Sequence, residues 1–116
     1  MLIVMKSIEA IIKPFKLDAL KDRLRQVGAQ GITVSEVRGH GRTGGKKDVS
    51  RGSAHVVDLV PKIRIQIITE DDMVQPIVEA IQATARTSEI GDGKIFVTEV
   101  IDAIRIRTGE RGHDAL

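Results

Sequence analysis

The chain has 116 residues, 41% of them hydrophobic, with 18 lysines and arginines against 16 acids and a formal charge of +2. That length suits one domain with a real core, the core must be almost wholly aliphatic because there are two Phe and no Trp or Tyr, and so mild a charge gives no argument for nucleic-acid or membrane binding. Cysteine is absent, which excludes disulfides and thiolate metal sites and accords with a reducing cytoplasm.

Met1 to Met5 is apolar but too short for a signal peptide or membrane span, and reads as an extension ahead of the first strand. Ser7 to Ile12 is predicted as that strand, with Ile8, Ala10 and Ile12 on one face, ended by the Lys13-Pro14-Phe15-Lys16 turn. Leu17, Leu20, Leu24 and Val27 recur at helical spacing, so a helix runs to about Gly28. Ile32 to Arg38 alternates as a second strand. Residues 39–55 carry Gly39, Gly41, Gly44, Gly45 and Gly52 among Arg42, Lys46, Lys47 and Arg51, with no apolar period. A gap this long in a small domain marks a functional or mobile loop. Ile63, Ile65 and Ile67 alternate with Lys62, Arg64 and Gln66 in a third strand.

Thr69 is the expected N-cap of a second helix, with Glu70, Asp71 and Asp72 behind it and Val74, Ile77, Val78, Ile81 and Ala85 as its buried stripe. Lys94 to Val100 and Ala103 to Arg107 read as two closing strands, and the polar tail 108–116 as loose. The order is β-α-β, long loop, β-α-β and one added strand: an α+β domain over 1–116, with an antiparallel sheet and both helices on one face. The isoleucines and valines expected on the bare face favour self-association.

Gly91-Asp92-Gly93-Lys94 has the layout of a site that grips phosphate. Glycines let backbone N–H groups approach an anion, and lysine adds a point charge. Arg105 and Arg107, at i and i+2 on a predicted strand, would point the same way and take phosphate oxygens in bidentate fashion.

Several separated motifs resemble the PII nitrogen-regulatory signal-transduction proteins, over roughly Ile8 to Gly109. They are Ala10-Ile11-Ile12-Lys13-Pro14-Phe15-Lys16-Leu17-Asp18, Thr33-Val34-Ser35-Glu36-Val37, Gly39-His40-Gly41-Arg42, Pro61-Lys62, Thr87, Gly91-Asp92-Gly93-Lys94-Ile95-Phe96-Val97 and Ile104-Arg105-Ile106-Arg107-Thr108-Gly109. The resemblance implies a homotrimer of ferredoxin-like βαββαβ subunits that bind ATP or ADP in clefts between subunits. It also implies a cytoplasmic sensor without catalytic residues, whose long loop docks on a target enzyme or membrane transporter, an ammonium transporter being the family default. On the same ground Gly91, Asp92, Gly93, Lys94, Arg105 and Arg107 match the phosphate grip, Gly39, Gly41 and Arg42 the loop root beside the nucleotide, and Thr33 and Ile68 positions near the base.

Lys62 matches the lysine that, in the family, helps bind 2-oxoglutarate beside a Mg²⁺ on ATP. Thr43, however, stands where the family commonly has a metal-binding glutamine, and a short hydroxyl does not easily replace an amide carbonyl. The response to 2-oxoglutarate and Mg²⁺ therefore stays open, as does a specialised adenylate sensor with another target. His55 replaces a tyrosine uridylylated in many members, and with no Tyr in the chain that modification is excluded. Ser53 matches a serine phosphorylated in some members; phosphate there would add roughly −1.5 to −2 charge to a basic loop. Gln66, Arg86 and Glu89 also depart from the commonest family choices.

Two other function classes fit the residues less well. A slow ATPase lacks a general base and a second metal carboxylate arranged for phosphoryl transfer. An RNA-binding sheet needs stacking aromatics, and only Phe15 and Phe96 exist.

Overall fold

The structure, a computed structural model, describes residues 4–40 and 59–116. Six elements follow in chain order: β1 (Met5–Ile12), α1 (Leu17–Gln26), β2 (Ile32–Gly39), β3 (Val60–Glu70), α2 (Val74–Ala85) and β4 (Lys94–Val100). The strands form one antiparallel sheet in the order β2-β3-β1-β4, which is the ferredoxin-like arrangement. Gly41, Arg42, Thr43, Ser53, His55 and most of the 39–55 loop lie outside the described residues.

Strand alternation sends one isoleucine row to the helices. Ile8, Ala10 and Ile12 of β1 pair with Ile67, Ile65 and Ile63 of β3, and all six are buried. Against them pack Leu20 and Leu24 of α1 and Ile77, Ala80, Ile81 and Ala85 of α2. Leu17, Val27, Val74 and Val78, also expected on the apolar stripes, seal the margin of this core. Helix α1 stops on a Schellman motif: Gly28, at φ 92°, donates to Arg25 O while Ala29 donates to Leu24 O.

Four expectations need correction. First, β1 begins at Met5, so part of the presumed leading extension is ladder. Second, Thr69 is no N-cap: it pairs with Lys6 inside β3, and the turn into α2 is the 3-10 segment Asp71–Met73 flanked by Glu70. The ladder continues because β1 reaches back to Met5 and offers partners as far as Glu70. Third, Ala103 to Arg107 makes no fifth strand. Only a single bridge, Ile104 to Arg111, closes a tight turn in which Gly109 N donates to Arg105 O at 2.7 Å. Fourth, residues 108–116 are tied down: Arg111 grips Asp102 at 2.8 Å, Gly112–Ala115 is a 3-10 segment, and His113 pairs with Glu70.

The bare sheet face is also more polar than expected. The register gives it Ser7, Glu9, Lys62, Arg64, Gln66, Thr33, Ser35, Lys94 and Thr98, with Ile11, Ile68, Val37, Phe96 and Val100 between, and Arg64 pairs with Glu9 across its centre. Exposed apolar surface lies elsewhere, along edge strand β4 and the segment after it. Ile101 is 98% and Ile106 99% exposed, alongside the half-exposed Phe96, Val97 and Ile104.

Candidate phosphate-gripping turn and its separated partners

The turn between α2 and β4 is built around one carboxylate. Asp92 accepts from the Thr87 N–H at 2.7 Å, the Ser88 N–H at 2.9 Å and the Thr87 hydroxyl. Lys13, just beyond β1, lies 3.3 Å from the same carboxylate and donates to Thr87 Oγ1 at 3.2 Å. The Thr87 hydroxyl and backbone bonds hold the Asp92 carboxyl well below the usual carboxylate range, outweighing its partial desolvation. Ser88 is thereby kept in the left-handed region at φ 71°, rare for a residue with a side chain. Asp92 thus points into its own loop, and the backbone of the turn is what remains for an anion.

Two glycines are required here. Gly93 sits at φ 103°, and a Cβ would fall 1.6 Å from Ile11 O, so no side chain fits. Gly91 is required by its φ of 97° and not by space, since a Cβ would meet Lys13 Cε at 3.5 Å and Lys62 Nζ at 3.7 Å, ordinary contact distances. Lys62 donates to Gly91 O at 2.7 Å. Beside the turn lies a cleft of about 400 Å³ lined by Ile12, Ile81, Gln82, Arg86, Asp92 and Lys94.

The candidate residues fall into two groups. Lys62, Gly91, Asp92, Gly93 and Lys94 are together at one end of the sheet, and Gly39, paired with Val60 two positions past Lys62, lies at that same end. Thr33 and Ile68 belong to the opposite end, with Ile68 paired to Ser7 and Thr33 to Gln66. Arg105 and Arg107 follow β4 at that far end too, because Lys94 pairs with Ile11 but Val100 with Met5. Six residue steps of about 3.3 Å put some 20 Å between the ends.

The two arginines do not share an extended face. The turn over 106–108 separates them: Arg105 bonds Glu110 at 2.8 Å and Leu116 O at 3.1 Å, whereas Arg107 is exposed. A second cavity of about 790 Å³ opens at this end, lined by Gly28, Gly31, Ile68, Glu70, Ala103 and the tail from His113. Sequence reading missed Lys13 and Glu110 as parts of the site. Lys13 is 79 residues from Asp92 along the chain, and no short-range pattern reports such a pairing.

The fold is a ferredoxin-like sheet with a glycine turn at one end and basic side chains at both. The chain matches the family described as Nitrogen regulatory protein P-II over residues 5–110. It is 56% identical over 112 residues to the nitrogen regulatory protein P-II of Cereibacter sphaeroides and 55% identical to that of Azospirillum brasilense, covering 97% of this chain and all of each relative. A solved Arabidopsis thaliana PII bound to citrate superposes with a TM-score of 0.80 at 38% identity, over 97% of this chain and 92% of that one. The chain belongs to the P-II family of nitrogen-regulatory signalling proteins.

Proposed function

We propose that the chain assembles as a homotrimer, binds ATP and ADP competitively in clefts between subunits, and controls a cytoplasmic target enzyme or membrane transporter of nitrogen metabolism through residues 39–55. The observation that carries this reading is the split of the candidate residues between two sheet ends. One polyphosphate cannot reach both within a single chain. Two copies joined end to end bring Gly91–Lys94 and Lys62 of one against Arg105, Arg107, Thr33 and Ile68 of the next. The exposed Ile101 and Ile106 supply apolar area for such a contact.

ATP and ADP would then place different charge beside Arg42 and the loop root, and the loop equilibrium would follow the nucleotide. Only differential affinity for the two loop states shifts it. Coupling of about 1–3 kcal/mol changes partner affinity roughly 5- to 150-fold.

A second reading, an adenylate sensor indifferent to 2-oxoglutarate, is favoured by Lys62. One of its three N–H donors is on Gly91 O, which leaves two to be shared between phosphate and a carboxylate ligand. Calorimetric titration with ATP, ADP and AMP, each repeated with Mg²⁺ and 2-oxoglutarate, separates the two. Micromolar ATP and ADP binding that 2-oxoglutarate strengthens supports the first reading; binding it leaves unchanged supports the second. No adenylate binding rejects both.

A further inference from the structure

The turn has an electrostatic problem. Asp92 is ionised and lies between the two glycines whose backbone is to meet phosphate, and like charges a few ångströms apart repel. Four other charged side chains occupy the neighbourhood: Lys62 on the Gly91 carbonyl, Lys94 at the start of β4, and Arg86 and Glu89 in the loop from α2. None of these contacts Asp92. Lys13 does, through an ammonium 3.3 Å from one carboxylate oxygen, and both side chains are about four-fifths buried at 19% and 23% exposure. That remaining exposure leaves the pair open to screening by salt, though less so than the fully exposed charges.

The geometry points to Lys13 as a positioning residue for the anion turn: it cancels the Asp92 charge and clamps that carboxylate onto Thr87, leaving Lys62 and Lys94 to face phosphate unopposed. This rests on the proposed ATP site. Lys13 is well held for the task. It immediately precedes Pro14, its carbonyl accepts from Lys16 N at 3.0 Å, and its stem lies in contact with the Gly91 turn, 3.5 Å from where a Cβ on Gly91 would sit. Without the cation, an unbalanced carboxylate sits beside the ligand phosphates. The Thr87 and Ser88 bonds still hold that carboxylate in the turn, so its full charge stays beside the ligand.

Calorimetry of the full-length protein with Mg²⁺-free ATP, across a salt series, tests the assignment. Lys13→Met should weaken ATP about tenfold at low salt, with the gap to wild type shrinking as salt rises. Lys13→Arg should keep wild-type affinity. Adding Asp92→Asn to Lys13→Met should restore affinity to within about threefold, because Asn still accepts from the loop N–H groups but carries no charge. Thermal melting of each variant reports folding separately. A structural role alone lowers the melting point without rescue by Asp92→Asn. Unchanged affinity in Lys13→Met, or a tenfold loss that the double variant leaves uncorrected and salt does not narrow, overturns the proposal while leaving the adenylate reading standing. Wild-type protein that takes up no ATP overturns both.

Discussion

At the scale of single residues, the aspartate of the candidate phosphate turn is directed inward. Asp92 spends its oxygens on Thr87, Ser88 and Lys13, so its contribution is to the shape of the loop. Because its folded carboxyl is depressed, its stabilisation is complete above the ordinary aspartate range and is lost only as pH falls below about 4 toward the depressed value. The melting temperature of Asp92→Asn should accordingly lie furthest below wild type between pH 5 and 7, and the two curves should converge toward pH 2. A difference constant across that range would show that the carboxylate is not what stabilises the loop. Arg105 makes a similar point in the opposite sense. The sequence offers it as a free anchor, yet Glu110 and Leu116 O already hold it, and a ligand has to displace them.

At the scale of elements, helices and central strands follow their patterns while the ends do not. Both helices were legible from their period, and the end of α1 from Gly28, because amphipathic spacing and a left-handed glycine are local properties. The extent of β3 was not legible. Thr69 looks like a cap in isolation and becomes a ladder residue only because β1 supplies Lys6 opposite. The predicted strand at Ala103 to Arg107 fails for the complementary reason: its residues have the right alternation, but no strand of the same chain lies beside it beyond the Ile104–Arg111 bridge. The β4 entry depends instead on close backbone contact. Gly93→Ala should destabilise the protein by several kcal/mol, since its Cβ would overlap Ile11 O and its φ of 103° is strained for any side chain. Chemical denaturation gives the value; a loss under about 1 kcal/mol would mean the turn relaxes freely.

At the scale of the whole molecule, one chain has a finished core and a candidate site divided between the two ends of its sheet. The six sheet residues and six helix residues of the core leave no buried polar group among the described residues. The basic groups fitted for phosphate stand about 20 Å apart. Ile101 and Ile106, almost fully exposed, flank the far group. Replacing Ile106 with Asp should lower the assembly mass seen by light scattering and abolish ATP uptake together, while leaving the far-ultraviolet circular dichroism intact. An unchanged mass with normal ATP binding would place the contact elsewhere.

The amino-acid sequence alone determined the order of the six elements from β1 to β4, the inward isoleucine rows and the glycine turn, because periodicity and the demand for a bare backbone act within a few residues. Only the tertiary structure decided that Lys13 meets Asp92, that Arg105 is already held, and that the two halves of the candidate grip occupy opposite ends of one sheet. Those facts depend on which strands lie side by side, and pairing over long separations leaves no local trace in the chain.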